Sequence, residues 1–318
     1  MVDISIIVPV YNHERYIKKA IDSILMQKGS YSYEVLIGED CSQDNTRTVL
    51  KEIEPNLPSN FTVLYRGNNM GRFGKNNIQD LRQRAQGRYI IALEGDDFWT
   101  YDNKLQRQFE FLESNADYIA VAHNTEVVDE NNNIINEYYP ECKKREYTID
   151  DFKKGLVPGQ TTTILKRNYF KYNMFDISLE DNDYPGDRKS FFLMVANGKI
   201  ACIQEKWSAY RHVTGHGTSF SARNKRSKNK NKEYSDTLSY YRSIYYYSIY
   251  HSVDESVKKV TEQLYFRFLL FYLLKGVEII SWRTVLKEIR SAQYITSDML
   301  YVLGEGMKKI LHIFLSTK

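Results

Sequence analysis

The chain has 318 residues, of which 42% are hydrophobic and 26% charged, and its net charge is +4. That length supports a substantial core, as one large domain with an appendage or as two domains. The three cysteines (Cys41, Cys142, Cys202) are far apart, with no CxxC or Cys/His metal spacing, which implies reduced thiols in a cytoplasmic protein. Ile4 to Val8 reads as a buried strand rather than a signal peptide, because no basic segment precedes it. Apolar residues at 17, 20, 21, 24 and 25 mark a helix over Glu14 to Met26. Tyr33 to Ile37 is a second strand ending at Glu39-Asp40, and Ser42 is placed to cap a helix reaching Ile53. Phe61 to Tyr65 is a third strand. Ile78, Leu81 and Ala85 mark a helix that Gly87 closes. Arg88 to Leu93 is a fourth strand, and it runs straight into Glu94, Asp96 and Asp97. Leu105, Phe109 and Leu112 mark the next helix, and Tyr118 to His123 a fifth strand.

Strands alternating with helices at this spacing imply an α/β fold, a Rossmann-like, mostly parallel sheet flanked by helices. Ligands bind such sheets beyond the carboxyl ends of the strands. Both acidic clusters fall there, which puts them in one crevice. The second half is less regular. Thr161 to Leu165 reads as a strand, Asp187 to Ala196 as a helix stopped by Gly198, and Ile200 to Ile203 and Trp207 to Tyr210 as short strands. Residues 223–232 hold six basic residues in ten and read as a loop. From Glu233 the chain is a Tyr-rich helical extension. The longest apolar stretch, Leu264 to Leu274, is broken by Arg267 and too short to span a bilayer.

Three carboxylates at a strand end suit a hard divalent cation such as Mn²⁺ or Mg²⁺, which binds one or two carboxylates together with substrate phosphates. The bland alternative is a solvated acidic turn, but Phe98-Trp99 follows it rather than polar loop residues. Tyr11 and Asp40 suit stacking on, and hydrogen bonding to, a nucleobase, although Tyr11 also fits as a helix-entry packing residue. Neither GxGxxG after the first strand nor GxxxxGK[ST] is present. A nucleotide held by metal and carboxylates then points to a nucleotide-sugar or nucleotidyl-transfer site.

The run SIIVPVYNHERYIKKAIDSILMQ resembles the opening of family-2 glycosyltransferases, which have the GT-A fold. EVLIGEDCSQDNT is similar to that family's second-strand motif, and NNMGRFGKNN to its Asn-x-Gly loop. GRYIIALEGDDFWTYDNKLQRQFEFLE resembles its DXD region, and GDRKSFFLMVANGKIACIQEKWSAYR its acceptor-side helix and strand. The resemblance covers residues 3–220 and assigns 1–220 to a catalytic domain and 221–318 to a basic loop and Tyr-rich helical region. It implies inverting transfer of a sugar from a nucleoside-diphosphate donor, usually UDP, to an acceptor hydroxyl in surface polysaccharide or glycoconjugate synthesis.

Carried over by position, Pro9, Tyr11 and Asp40 contact the base, Glu94, Asp96 and Asp97 belong to the donor site, and Asp96 is the metal ligand. Asp187 is the preferred general base. Glu180-Asp181 matches the family's Glu-Asp pattern literally, but Asp187 directly precedes the helix. A helix N-terminal acid is the structural alternative there. Glu39 and Glu94 stand where Asp is commoner. Gly159 to Thr163 fits either a ligand-facing segment or an ordinary loop, and His212 and His216 either approach the diphosphate or are structural. Expected partners are a nucleotide-sugar donor and a glycan or lipid-linked acceptor. Residues 223–232 suit anionic headgroups at the inner face of the cell membrane, and the C-terminal helices suit self-association. No nucleic acid is expected, since the basic run lacks an aromatic platform. Two rivals stay open: an inactive nucleotide-sugar-binding or scaffold subunit of the same fold, and a nucleotidyltransferase.

Overall fold

The computed structural model describes residues 1–135, 141–168, 184–212, 230–274, 288, 292–294 and 304. The chain divides into two compact units, Met1–Phe175 with Gly186–Asn224, and Asp176–Pro185 with Lys225–Lys318. Among the described residues no helix is long and apolar enough to cross a membrane.

The first unit is built on a mixed sheet. Strand β1 (Ile4–Val10) lies between β2 (Tyr33–Glu39) and β4 (Tyr89–Ala92), parallel to both, and β3 (Phe61–Tyr65) adds in parallel outside β2. Helices α1 (Ile17–Leu25), α2 (Thr46–Ile53) and α3 (Lys75–Arg84) make the crossovers. Beyond β4 the order continues β8 (Leu165–Arg167), β6 (Tyr118–Val128), β9 (Lys199–Arg211) and β5 (Phe98–Trp99), with β7 (Glu146–Tyr147) also on β9. β8 is antiparallel to β4 and β6, while β5 and β7 are antiparallel to β9. β6 and β9 therefore share the direction of β1 to β4. Helices α4 (Lys104–Ser114), α5 (Ile149–Lys153) and α6 (Gly186–Asn197) complete this unit.

The near-continuous apolar run of β1 follows from burial on both faces. Ile4, Ile6, Val8 and Val10 pack with Ile17, Ile21 and Ile24 of α1. Ile7 packs on the other face with Leu36, Leu81, Ala85 and Ile90. Winding reverses at β1, since β2 and β3 lie on one side and β4 on the other. Such a reversal opens a crevice at the strand carboxyl ends. Residues 11–14 and 94–97 both emerge there.

Three local expectations change. Residues 161–165 are not one strand: Thr161–Thr163 form a 3-10 turn, because the Gln160 side chain accepts the Thr162 N–H, and β8 starts at Leu165. The strands expected at 200–203 and 207–210 are one strand, β9, in which Gln204, Glu205 and Lys206 are exposed and register shifts opposite His123 to Thr125 absorb the irregularity. Ser42 does not cap α2, which starts after Asn45; its Oγ instead accepts the Asn12 N–H at 3.0 Å.

In the second unit α7 (Lys230–Tyr250) packs against α8 (Glu255–Leu274) through aromatic rings. Tyr241 stacks on Phe268 at 4.2 Å and Tyr245 on Tyr265 at 5.3 Å. The Thr261 and Ser248 hydroxyls bond at 2.7 Å inside that interface. Glu180, Asp181, His216 and residues 223–229 of the basic run lie outside the described residues.

Candidate active site

The turns after β1 and β2 are laced into one platform. The His13 N–H donates to Thr46 Oγ1 at 2.7 Å, the Glu14 N–H to Asp44 Oδ2 at 3.1 Å, the Gln43 N–H to Asn12 Oδ1 at 2.8 Å and the Asn45 N–H to Glu14 Oε2 at 2.7 Å. Asn12 and Cys41 both take left-handed backbone conformations, with φ of 59° and 58°. Tight side-chain bonding on either side holds these conformations, which ordinary side chains disfavour. Tyr11 stands on this platform, partly exposed, with no hydrogen bond among the described residues. Pro9 lies in β1 in register with Gly38, and its carbonyl accepts the Gly95 N–H at 3.2 Å.

Glu39 and Asp40, adjacent in sequence, have different tasks. Glu39 is fully buried; it pairs with Arg47 and accepts the Ser42 N–H at 2.6 Å, so it anchors the start of the β2–α2 turn. Asp40 Oδ1 accepts the Met70 N–H at 2.7 Å, and Asn69 Nδ2 donates to its backbone oxygen and to Oδ2 at 2.9 and 3.2 Å. The Asp40 carboxylate thus shapes the Asn69-Met70-Gly71 loop beside the platform. Burial raises its pKa, against the hydrogen bond from Met70.

The acidic turn hangs between two buried anchors, Leu93 and Trp99. Its backbone closes through the Asp97 N–H to the Glu94 carbonyl at 3.0 Å. Asp97 points inward and is 1% exposed. Its Oδ2 accepts Gln160 Nε2–H at 3.0 Å and its Oδ1 accepts the Arg211 backbone N–H at 2.8 Å. Burial, with the charges of Asp96 and Glu94, raises its pKa well above the usual carboxylate range. The Arg211 backbone N–H and the Arg211 charge oppose that rise.

Asp96 points outward. Its side chain is 30% exposed and has no hydrogen-bond donor among the described residues; His13 Nε2 stands 3.8 Å from Oδ2. Glu94 is part-buried between these extremes. Burial first, then the charges of Asp96 and Asp187, push its pKa up to about 7. Asp187 lies in the exposed first turn of α6, far along the chain, yet its charge acts on both Glu94 and Tyr210. Tyr210 of β9 is kept protonated by burial and by the charges of Asp97, Glu94, Asp96 and Asp187. The fold therefore brings Glu94, Asp96 and Asp187 together electrostatically.

Arg211 was not singled out by sequence reasoning, although it closes the AYR run of β9. It is 4% exposed. Its Nε donates to the Asp96 carbonyl at 2.9 Å, Nη1 to the Asp129 carbonyl at 2.5 Å and Nη2 to Asn132 Oδ1 at 2.7 Å. The guanidinium lies 4.2 Å from the Tyr16 ring centroid. The fork thus ties the acidic turn to the loop after β6. Gln160, from the stretch 159–163, faces Asp97 rather than the open crevice. His212 is stacked on Tyr210, with centroids 6.2 Å apart.

Among the described residues, no three His, Cys, Asp or Glu side chains converge tightly enough to hold a metal by themselves. The donor set still fits a hard divalent cation that takes one or two carboxylates plus phosphate and water. Asp96 is outward and without a donor, Glu94 carries an electrostatic penalty from its neighbours, and the buried guanidinium is aimed at carbonyl and amide oxygens.

A family model described as glycosyl transferase family 2 matches residues 5–173, more than half of the chain. The chain is 28% identical over 213 residues to an uncharacterized protein of Mycobacterium tuberculosis, covering 66% of this chain and 59% of that protein. It is 30% identical over 164 residues to the Escherichia coli UDP-Glc:α-D-GlcNAc-diphosphoundecaprenol β-1,3-glucosyltransferase WfgD, covering 52% of this chain and 60% of the enzyme. The matches thus span about three fifths of these relatives' lengths. The solved structure of Staphylococcus aureus TarS 1–349 with UDP-GlcNAc superimposes with a TM-score of 0.59 at 17% identity, covering 86% of this chain and 73% of that one. That likeness shows the fold, GT-A. The chain belongs to glycosyl transferase family 2.

Proposed function

We propose that this protein is an inverting glycosyltransferase that moves a hexosyl or N-acetylhexosaminyl group from a UDP-sugar to an acceptor hydroxyl in surface-polysaccharide synthesis. The observation that carries the reading is that the charges of Asp96, in the turn after β4, and of Asp187, at the start of α6, both act on Glu94. Single-displacement transfer needs a general base on the acceptor side of the sugar and an offset for charge on the departing diphosphate on the other side. Asp187 is accessible and takes the proton of the acceptor hydroxyl as general base. The hydroxyl oxygen forms the new bond to the anomeric carbon as the bond to the diphosphate breaks, which inverts that carbon. Asp96, with Glu94 beside it, would hold Mn²⁺ or Mg²⁺. When bound, the ion offsets charge developing on the departing diphosphate. Tyr11, Pro9 and the Asp40-shaped loop form the nucleoside side. Asp97 acts by holding the turn.

UDP as donor and a lipid-linked acceptor are supported by the one relative named for UDP-glucose transfer onto a diphosphoundecaprenol-linked sugar, and UDP as donor also by the structure holding UDP-GlcNAc. Residues 1–220 are proposed as the catalytic region, working in the cytoplasm at the inner face of the membrane. Hydrolysis of a panel of UDP-sugars, with and without Mn²⁺, tests the reading. Metal-dependent release of UDP from at least one donor is expected. No binding and no hydrolysis across the panel would point to an inactive subunit of the same fold.

A further inference from the structure

We infer that His13 is a positioning residue for Asp96, acting through a proton on Nε2. This deepens the proposed function and rests on its assignment of Asp96 to the metal. His13 is fixed at its backbone, because its N–H donates to Thr46 Oγ1 and its neighbours Asn12 and Glu14 are bonded to the β2–α2 turn. Its ring lies against Gly95. A methyl group at position 95 would stand 2.6 Å from His13 Nδ1, so only glycine leaves room for the ring. Nδ1 is sealed in that slot and has no hydrogen-bond partner among the described residues. On the opposite edge Nε2 faces Asp96 Oδ2 at 3.8 Å, with the two side chains 20% and 30% exposed.

The slot selects the tautomer. A neutral imidazole carries one N–H and one bare nitrogen. A buried N–H without an acceptor is rarer than an unfilled acceptor. Nδ1 is therefore the bare nitrogen, and Nε2 carries the proton toward the carboxylate. With its lone pair occupied, Nε2 does not ligate a cation; it orients the carboxylate that does. The 3.8 Å separation is too long for a hydrogen bond, and catalytic hydrogen bonds commonly tighten when the ligand binds. Because the His13 N–H is bonded to Thr46 at the start of α2, the contact links that helix to the acidic turn.

Three variants test this, with Mn²⁺ binding in the presence of UDP read by electron paramagnetic resonance and metal-free UDP binding read by calorimetry. His13→Phe keeps a ring against Gly95 but removes the donor. It should weaken Mn²⁺ binding about tenfold or more, the usual cost of losing a group that orients a metal ligand, and leave metal-free UDP binding within twofold. His13→Gln places an amide N–H where Nε2 stood and should recover most of the loss. Asp96→Asn separates the failures. If it binds Mn²⁺ like the unaltered protein, the metal assignment falls and the role of His13 falls with it. If Asp96→Asn loses Mn²⁺ while His13→Phe does not, the His13 inference alone is wrong. Loss of metal-free UDP binding in His13→Phe, or failure of His13→Gln to rescue, also overturns it.

Discussion

Arg211→Lys is the most informative single perturbation of this site. It keeps the positive charge and removes the planar fork. The guanidinium makes three separate bonds, to the Asp96 carbonyl, the Asp129 carbonyl and Asn132 Oδ1, and lies over Tyr16. These acceptors belong to two chain segments, and a lysine ammonium on its flexible stem reaches one of them. Each hydrogen bond from a charged donor contributes about 1.5–3 kcal/mol. Losing two therefore costs about 3–6 kcal/mol before relaxation. Burial already lowers the pKa of Arg211, and a compact ammonium is harder to desolvate, so relaxation recovers only part. We expect a loss of about 3 kcal/mol, read as a lower urea midpoint with an unchanged slope. UDP-sugar hydrolysis should fall about 100-fold, the scale set by displacing reacting groups by roughly 1 Å. A lysine variant within about 1 kcal/mol of the unaltered protein would show that charge, not the fork, holds the acidic turn. The assigned role would then be wrong.

Asp187→Asn should keep UDP-sugar binding by calorimetry and lose transfer to the acceptor; retained transfer would move the general base to Asp181. The Glu94 pKa is pushed up to about 7 from an ordinary value of 4.5. The native state thus binds more protons than the unfolded chain across that window, so stability should fall as pH rises from 4.5 toward 7. Urea midpoints for Glu94→Gln should show a flatter pH dependence than the unaltered protein, and parallel curves would contradict the shift. Of the three thiols, Cys41 is part-exposed while Cys142 and Cys202 are buried. An aromatic disulfide reagent should react with one thiol in the native protein and with all three after unfolding; two fast thiols would contradict that burial.

Much of the fold was legible because it is locally encoded. Ile4 to Val8, Tyr33 to Ile37 and Arg88 to Leu93 are apolar runs bounded by polar turns, and burial on both faces of a parallel sheet demands such runs. The acids at their ends were legible because charge directly after a buried strand is conspicuous. The illegible features depend on contacts between distant segments. Ser42 has the chemistry of a helix cap, but the Asn12 N–H, 30 residues away, takes its hydroxyl. The strand expected through Thr161 to Leu165 yields to a turn because Gln160 binds Asp97 on one side and Thr162 on the other. Arg211 and His13 carry no motif that names their partners. Arg211 ends an ordinary strand, and its buried environment is assembled by Tyr16, Asp96, Asp129 and Asn132 together.

The three acids of the turn are equal in sequence and unequal in space. The Glu94-to-Asp97 backbone closure sends Asp97 into the protein, where two N–H donors meet it. Asp97 is thereby a fastener, and neutralising it would strand Gln160 and the Arg211 N–H as much as it would change the charge. Asp96 is left outward, and among the described residues only a distant imidazole edge faces it. Burial first, and then the charges of Asp96 and Asp187, push the pKa of Glu94 up to about 7. A protein that needed only a stable turn would gain by replacing Glu94 or Asp96 with a neutral residue, since each raises the electrostatic cost of the others. Their unrelieved repulsion is intelligible when a cation and a diphosphate enter between them. On the proposed reading a divalent cation at Asp96 would offset this repulsion, while the bonds of Asp97 to Gln160 and the Arg211 N–H, and of the Arg211 guanidinium to the Asp96 carbonyl, hold the backbone of the turn.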